Sequence, residues 1–151
     1  MAEIKSKDFN VEMQIRGIEL LNGSLNLPAS PTTPLTNFNF NINIESRADV
    51  ANKLVFVIVH IDIKNEDHSY ILGALSVSCI FEIVNFEDVI KIESDGQFNI
   101  PQGLIETLNS ISISTARGVM FSTFKGTFLH GAVLPVIDPK QFSMTPPNAN
   151  K

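Results

Sequence analysis

Asn37-Phe-Asn-Phe-Asn-Ile-Asn-Ile-Glu45 alternates without a break. Phe38, Phe40, Ile42 and Ile44 fall on one face, and four asparagines fall on the other. A period of two is that of a strand with one buried face. Asparagine is a poor strand former, so packing on the apolar face must hold this segment.

Downstream, Ser46 to Asn52 is polar and reads as a turn. Lys53 to Lys64 is a β-branched strand, with Val55, Val57, Val59, Ile61 and Ile63 on one face. Leu54, Phe56, Ile58, His60 and Asp62 line the other, apolar at one end and polar at the other. Asn65-Glu-Asp-His68 reads as a tight turn leading into a hairpin partner over Ser69 to Phe86. Upstream, Leu27-Pro-Ala-Ser-Pro-Thr-Thr-Pro34 carries three prolines, which cannot donate to a ladder, and reads as an extended connection. Before it, Phe9 to Leu27 holds another period-two stretch, with Val11, Met13 and Ile15 opposite Glu12, Gln14 and Arg16.

The periodicity changes after residue 100. Pro101 to Asn109 reads as a short helix, with the proline in its first turn. Ser112 to Lys125 reads as a longer one, with Ile113, Ala116, Met120 and Phe124 at three- and four-residue spacing. Ser112, Thr115, Val119 and Ser122 make a second face of small side chains. That face either lies on the protein's own sheet or serves an oligomer interface as well. Gly126 fits the left-handed position that ends a helix. Thr127 to Phe142 is apolar but aperiodic, and an apolar loop has to lie on something. The expected organisation is a flexible 1–8, one domain over 9–142, and a disordered tail over 143–151.

The 151 residues are 44% hydrophobic and only 18% charged, against about 25% charged in an average globular protein. That excludes intrinsic disorder and leaves little charge to cover the surface. The net charge is −5 and the 11 basic residues are scattered, which argues against nucleic acid. A charged N-terminus without an apolar stretch gives no secretory signal. The longest apolar run, Leu54 to Ile63, is too short to span a bilayer. A cytoplasmic protein without membrane insertion is expected.

Catalysis needs convergent polar groups. His60, His68 and His130 are read on a strand, a turn and a loop, none at metal-ligand spacing. Cys79, the single cysteine, is read as a buried inert thiol. Glu87-Asp88 reads as a solvated bend, and no phosphate-cradling glycine motif is present. The chain is therefore expected to bind rather than to turn over a substrate, with no cofactor and no metal.

Strand, proline connection, three antiparallel strands, long helix and apolar loop follow in an order that resembles SecB-type export chaperones. Lys125-Gly-Thr-Phe128, then Pro135-Val136, then Phe142, are similar to the end of that family's long helix, its crossover loop and the Phe of its last helix. Asn37 to Asn65 is similar to the two central strands, and Ile80-Phe81 with Ile83 to the end of the fourth. The resemblance covers most of residues 9 to 142. Three departures stand out. The carboxylates that dock the translocase motor SecA in this family are matched by the uncharged Asn22, Asn26 and Ala74. The stretch Asn85 to Thr107 is longer than usual, and the last helix is expected to be short, ending at Pro146-Pro147 without the long polar tail.

The resemblance implies an α+β fold, a four-stranded antiparallel sheet with one long and one or two short helices on one face. It also implies a dimer of dimers, the long helices sandwiched between two eight-stranded sheets. The implied function is an ATP-independent holdase for unfolded or preprotein clients in export or folding. Phe40, Ile42 and Ile44 are expected on the sheet side of its groove. Phe128, Val133, Val136, Ile137 and Phe142 are expected on the loop side. Ser112, Thr115, Val119 and Ser122 are assigned to the oligomer interface. Two other readings stay open: a dedicated chaperone of a toxin–antitoxin system, which would bind an antitoxin, and an oligomeric scaffold without clients.

Overall fold

In chain order the strands are Ala2–Lys5 (β1), Asn10–Leu25 (β2), Asn39–Asp49 (β3), Leu54–Lys64 (β4) and Ile71–Ile83 (β5). A short helix Phe86–Val89 (α1), a small hairpin of Lys91–Ile92 (β6) and Phe98–Asn99 (β7), and the long helix Gln102–Phe124 (α2) follow. The computed structural model describes residues 2–5, 10–27 and 37–138. Nearly all of the proline connection, Phe142 and the tail 143–151 lie outside the described residues.

The main sheet is antiparallel throughout, in the order β1-β2-β5-β4-β3. Three hairpin-connected strands, β3 to β5, take β2 beside the last of them, a Greek-key arrangement. The expected four strands are thus joined by a fifth, the N-terminal β1, which pairs only with Asn10 to Met13 of β2. Between Ile15 and Gly17, and again between Leu20 and Asn22, the β2–β5 register shifts at a bulge.

Opposed residues in an antiparallel pair share a face, so the register separates the two sides of the sheet. Val55, Val57, Val59, Ile61 and Ile63 of β4 and Leu75, Val77, Cys79, Phe81 and Ile83 of β5 are buried beneath α2. The two strands are central and paired on both edges, which is why their inner face is a continuous apolar run.

Two expected boundaries move. The turn after the asparagine strand is shorter than Ser46 to Asn52, because β3 continues to Asp49. Ser46 and Ala48 keep the inward alternation opposite Val57 and Val55, and Asp49 accepts a hydrogen bond from the Asn52 main chain at 3.2 Å. Lys53 closes the turn with a φ of 58°. The two expected helices are one. Asn109 and Ser112, weak helix formers at the expected break, are both buried in α2, so packing overrides their propensity. The long stretch after β5 is a plug: Phe86, Val89, Ile90 and Ile100 close the lower end of the core beside Leu104 and Leu108.

Candidate functional site

The core falls into two clusters along α2. The upper one gathers Val59, Ile61, Leu72 and Leu75 of the sheet with Ala116, Met120 and Phe124 of α2. Sheet and helix do not close it alone. Gly126, with φ +80°, ends the helix, and the chain folds back over the cluster. The Thr127 main chain donates to the Phe124 carbonyl at 3.0 Å, and its hydroxyl donates to the same oxygen at 2.6 Å. Leu129, Ala132 and Leu134 are then buried in the upper cluster. Leu129 reaches Gly73 of β5, where a Cβ would stand 2.5 Å from its Cδ1. The small residue admits the loop's first anchor.

Phe38, Phe40, Ile42 and Ile44 are half-buried against the same cluster, and so are Phe128 and Ile137. Five of the eight expected groove residues thus pack against this one cluster. Val133 and Val136 project into solvent, 52% and 96% exposed. Phe142 lies outside the described residues. Phe38 packs against the cluster too, although it was read only as part of the alternation. A Cβ at Gly131 would lie 4.0 Å from its ring, which places Phe38 at the loop.

Arg117 of α2 carries no signal in the sequence pattern. Its Nε donates to the Leu134 carbonyl and a terminal nitrogen to the Pro135 carbonyl, both at 2.8 Å. A contact to a main-chain oxygen leaves no trace in side-chain patterning.

The expected interface residues divide. Ser112 is fully buried, facing inward, and it and Thr115 lie beside the Cys79 thiol. It is a packing residue of this chain and not part of an outer face, because α2 turns this side toward β5. Burial pushes the Cys79 thiol up, as fits an inert buried cysteine. Thr115 and Val119 are half-buried and Ser122 is exposed. They flank the inner face of β2, where Ile15, Ile18, Leu20 and Leu25 are each 41–50% exposed.

The outer sheet face is apolar at one end, with Leu54, Phe56, Ile58 and Ile80, and polar at the other. His60 bridges β3 and β5, its Nδ1 2.7 Å from Ser76 Oγ and its Nε2 3.0 Å from Glu45 Oε1. The bond from His60 holds the Glu45 carboxyl below its ordinary value, with Arg47 helping. Serine, histidine and carboxylate in line have the composition of a hydrolytic triad. Stabilising an oxyanion needs free donors aimed at one point, and β4 and β5 spend their main-chain donors on ladders to both neighbours. The trio is a staple across three strands. Asn22 and Ala74 lie on this face as well, opposite Ser76 and Ser24. Asn26, just past β2, donates its side-chain amide to the Ile71 carbonyl at 3.2 Å.

Among the described residues no group of three or more His, Cys, Asp or Glu could hold a metal ion, and no helix is long and apolar enough to cross a membrane. The architecture is similar to that of the Mycobacterium tuberculosis Rv1957 SecB-like chaperone, solved in complex with a ChAD peptide from the Rv1956 HigA1 antitoxin. The TM-score is 0.59 at 14% sequence identity, over 83% of this chain and 90% of that one. No protein-family model and no curated protein matches the chain. The expected SecB-like α+β fold is the one observed.

Proposed function

We propose that this protein is a SecB-like holdase, binding unfolded or preprotein clients without ATP through the groove between β3 and the crossover segment. The observation that carries the reading is the half-buried patch of Phe38, Phe40, Ile42, Ile44, Phe128 and Ile137. Half-buried apolar side chains still have area to lose. A client side chain laid across them gains about 25 cal/mol per Å² removed from water. Such burial is non-directional, so clients can vary, and it is reversible because nothing covalent forms. Val133 and Val136 extend the rim, and Phe142 is assigned to the same wall by the resemblance. The shared fold with a chaperone solved with a bound peptide supports the reading.

That neighbour's peptide comes from an antitoxin, which favours a second, narrower reading: a dedicated chaperone for one antitoxin segment. The two readings separate by selectivity. A dedicated chaperone holds one sequence far more tightly than unrelated unfolded chains. In either case we place the protein in the cytoplasm, as a homo-tetramer whose contacts use Thr115, Val119, Ser122 and the inner face of β2. A client-free scaffold would instead have the groove filled in the assembled state.

The test is suppression of aggregation of an unrelated unfolded protein, with no nucleotide present. Protection should rise in proportion to added protein and saturate at a fixed ratio. Val136→Asp, at a position 96% exposed, should leave the fold intact and reduce protection, and Phe142→Asp should do the same. Absence of protection by the unaltered protein overturns the holdase reading. Full protection by both variants overturns the groove assignment.

A further inference from the structure

The crossover segment, residues 132–138, has no helix or strand of its own. Among the described residues, no bond between main-chain groups ties 133–137 to the rest of the molecule. Ala132 and Leu134 anchor it by burial. Apolar contacts are non-directional, so they set the segment's depth and not its orientation.

Direction comes from Arg117. Its two bonds go to consecutive carbonyls, Leu134 and Pro135. A planar fork meeting two successive acceptors fixes both the height and the heading of the chain, which a single donor cannot do. Pro135 also holds Leu134 in extended backbone, so both acceptors sit on a stiff dipeptide. Beyond it the chain leads directly to Ile137, half-buried on the upper cluster.

We propose that Arg117 is the positioning residue of the groove. It latches the crossover segment where Ile137, with Phe128, completes the wall facing Phe38, Phe40 and Ile42. This rests on the reading of that groove as the client site. Without the latch the segment samples other positions, and apparent affinity falls by the fraction of time the wall is in place.

The test compares the full chain with Arg117→Lys and Arg117→Ala, using reduced, carboxymethylated α-lactalbumin as a permanently unfolded client. Client affinity, the rate of thermolysin cleavage within 132–138 of the client-free protein and the thermal midpoint are measured together. Arg117→Ala should weaken binding about tenfold, as expected if the latched state drops to about a tenth of the population. Cleavage within 132–138 should quicken while α2 stays intact. Arg117→Lys, which keeps one reach to a carbonyl, should fall between. A purely structural role would instead lower the thermal midpoint and open α2 to cleavage in step with affinity. Unchanged cleavage in both variants overturns the latch. Faster cleavage with unchanged or tighter binding shows that the segment is no wall, and overturns the proposal. If the unaltered protein binds no client, the functional reading falls, and cleavage alone decides whether Arg117 holds the segment.

Discussion

The two flanks of the long helix are finished differently. On the β3 side the chain folds back on itself, sinks Leu129 and Leu134 into the core, and is pinned by Arg117. On the β2 side Ile15, Ile18, Leu20 and Leu25 are left 41–50% exposed. Both edges present apolar side chains, but in different states. On the function proposed above, the β3 edge is a groove for a narrow extended segment. The β2 edge is a more open strip beside small helix residues, which on the same proposal meets another copy. The loop after the helix covers one flank and leaves the other open.

The largest contrast should appear in stability. Leu134→Ala should cost about 2–5 kcal/mol in urea denaturation, as expected for a fully buried leucine. Leu20→Ala, at a side chain 49% exposed, should cost under about 1 kcal/mol. An equal loss at both positions would mean that the β2 strip is covered in solution.

Ile18→Glu combined with Leu20→Glu sharpens the same point. Charges placed on a strip that associates are desolvated, so sedimentation velocity should show dissociation to smaller species. A tetramer that survives the double change would move the interface elsewhere. Thr115→Trp, which overpacks the adjoining helix flank, should act in the same direction more weakly.

On the groove side, Phe38→Ala should weaken client binding by about 1–2 kcal/mol while leaving the assembly unchanged. If it disrupts assembly and spares binding, the roles of the two flanks are exchanged.

The outer face allows a smaller effect. With Asn22, Asn26 and Ala74 uncharged, binding to the cognate SecA in calorimetry should be weak at physiological salt, because charged rim residues mainly steer. Asn22→Asp, Asn26→Glu and Ala74→Glu together should strengthen it by about 1 kcal/mol. Submicromolar affinity of the unaltered protein at that salt would refute the placement of the docking face.

The smallest effect belongs to Glu45. Its folded value lies below its unfolded one, so its contribution is present above about pH 4.3. It is lost as pH falls through the lower folded value. The side chain is 40% exposed, so solvent screening keeps the contribution under about 1 kcal/mol. Glu45→Gln should lower stability slightly at neutral pH and converge with the unaltered protein in acid. A gap that widens toward low pH would reverse the sign.

The strands were legible because their two-residue period survives wherever one face is buried, as the asparagine run of β3 shows. Helix continuity was not. Asn109 and Ser112 are poor formers whose environment is decided by β5, far away in sequence. The half-buried face of β3 followed from alternation, and the folding of the loop onto the core from the excess of apolar residues after Gly126. Which loop residues point inward did not follow, because an aperiodic segment has no face until its anchors are placed. Leu134 and Ile137 turn in while Val136 turns out, with nothing in their chemistry to separate them. Arg117 was hidden for a related reason, since its partners are carbonyls that every residue carries.

A protein that keeps so much apolar surface at two strand edges runs the risk of polymerising through them. The bulges in β2 bear on that risk. With β1 occupying Asn10 to Met13 and irregularities on either side of Gly17 to Leu20, the edge offers no long regular template. Edges interrupted in this way resist open-ended strand stacking, while a short, closed pairing can still form. The same irregularity that bends β2 would then keep the protein from growing into an open-ended stack of its own copies.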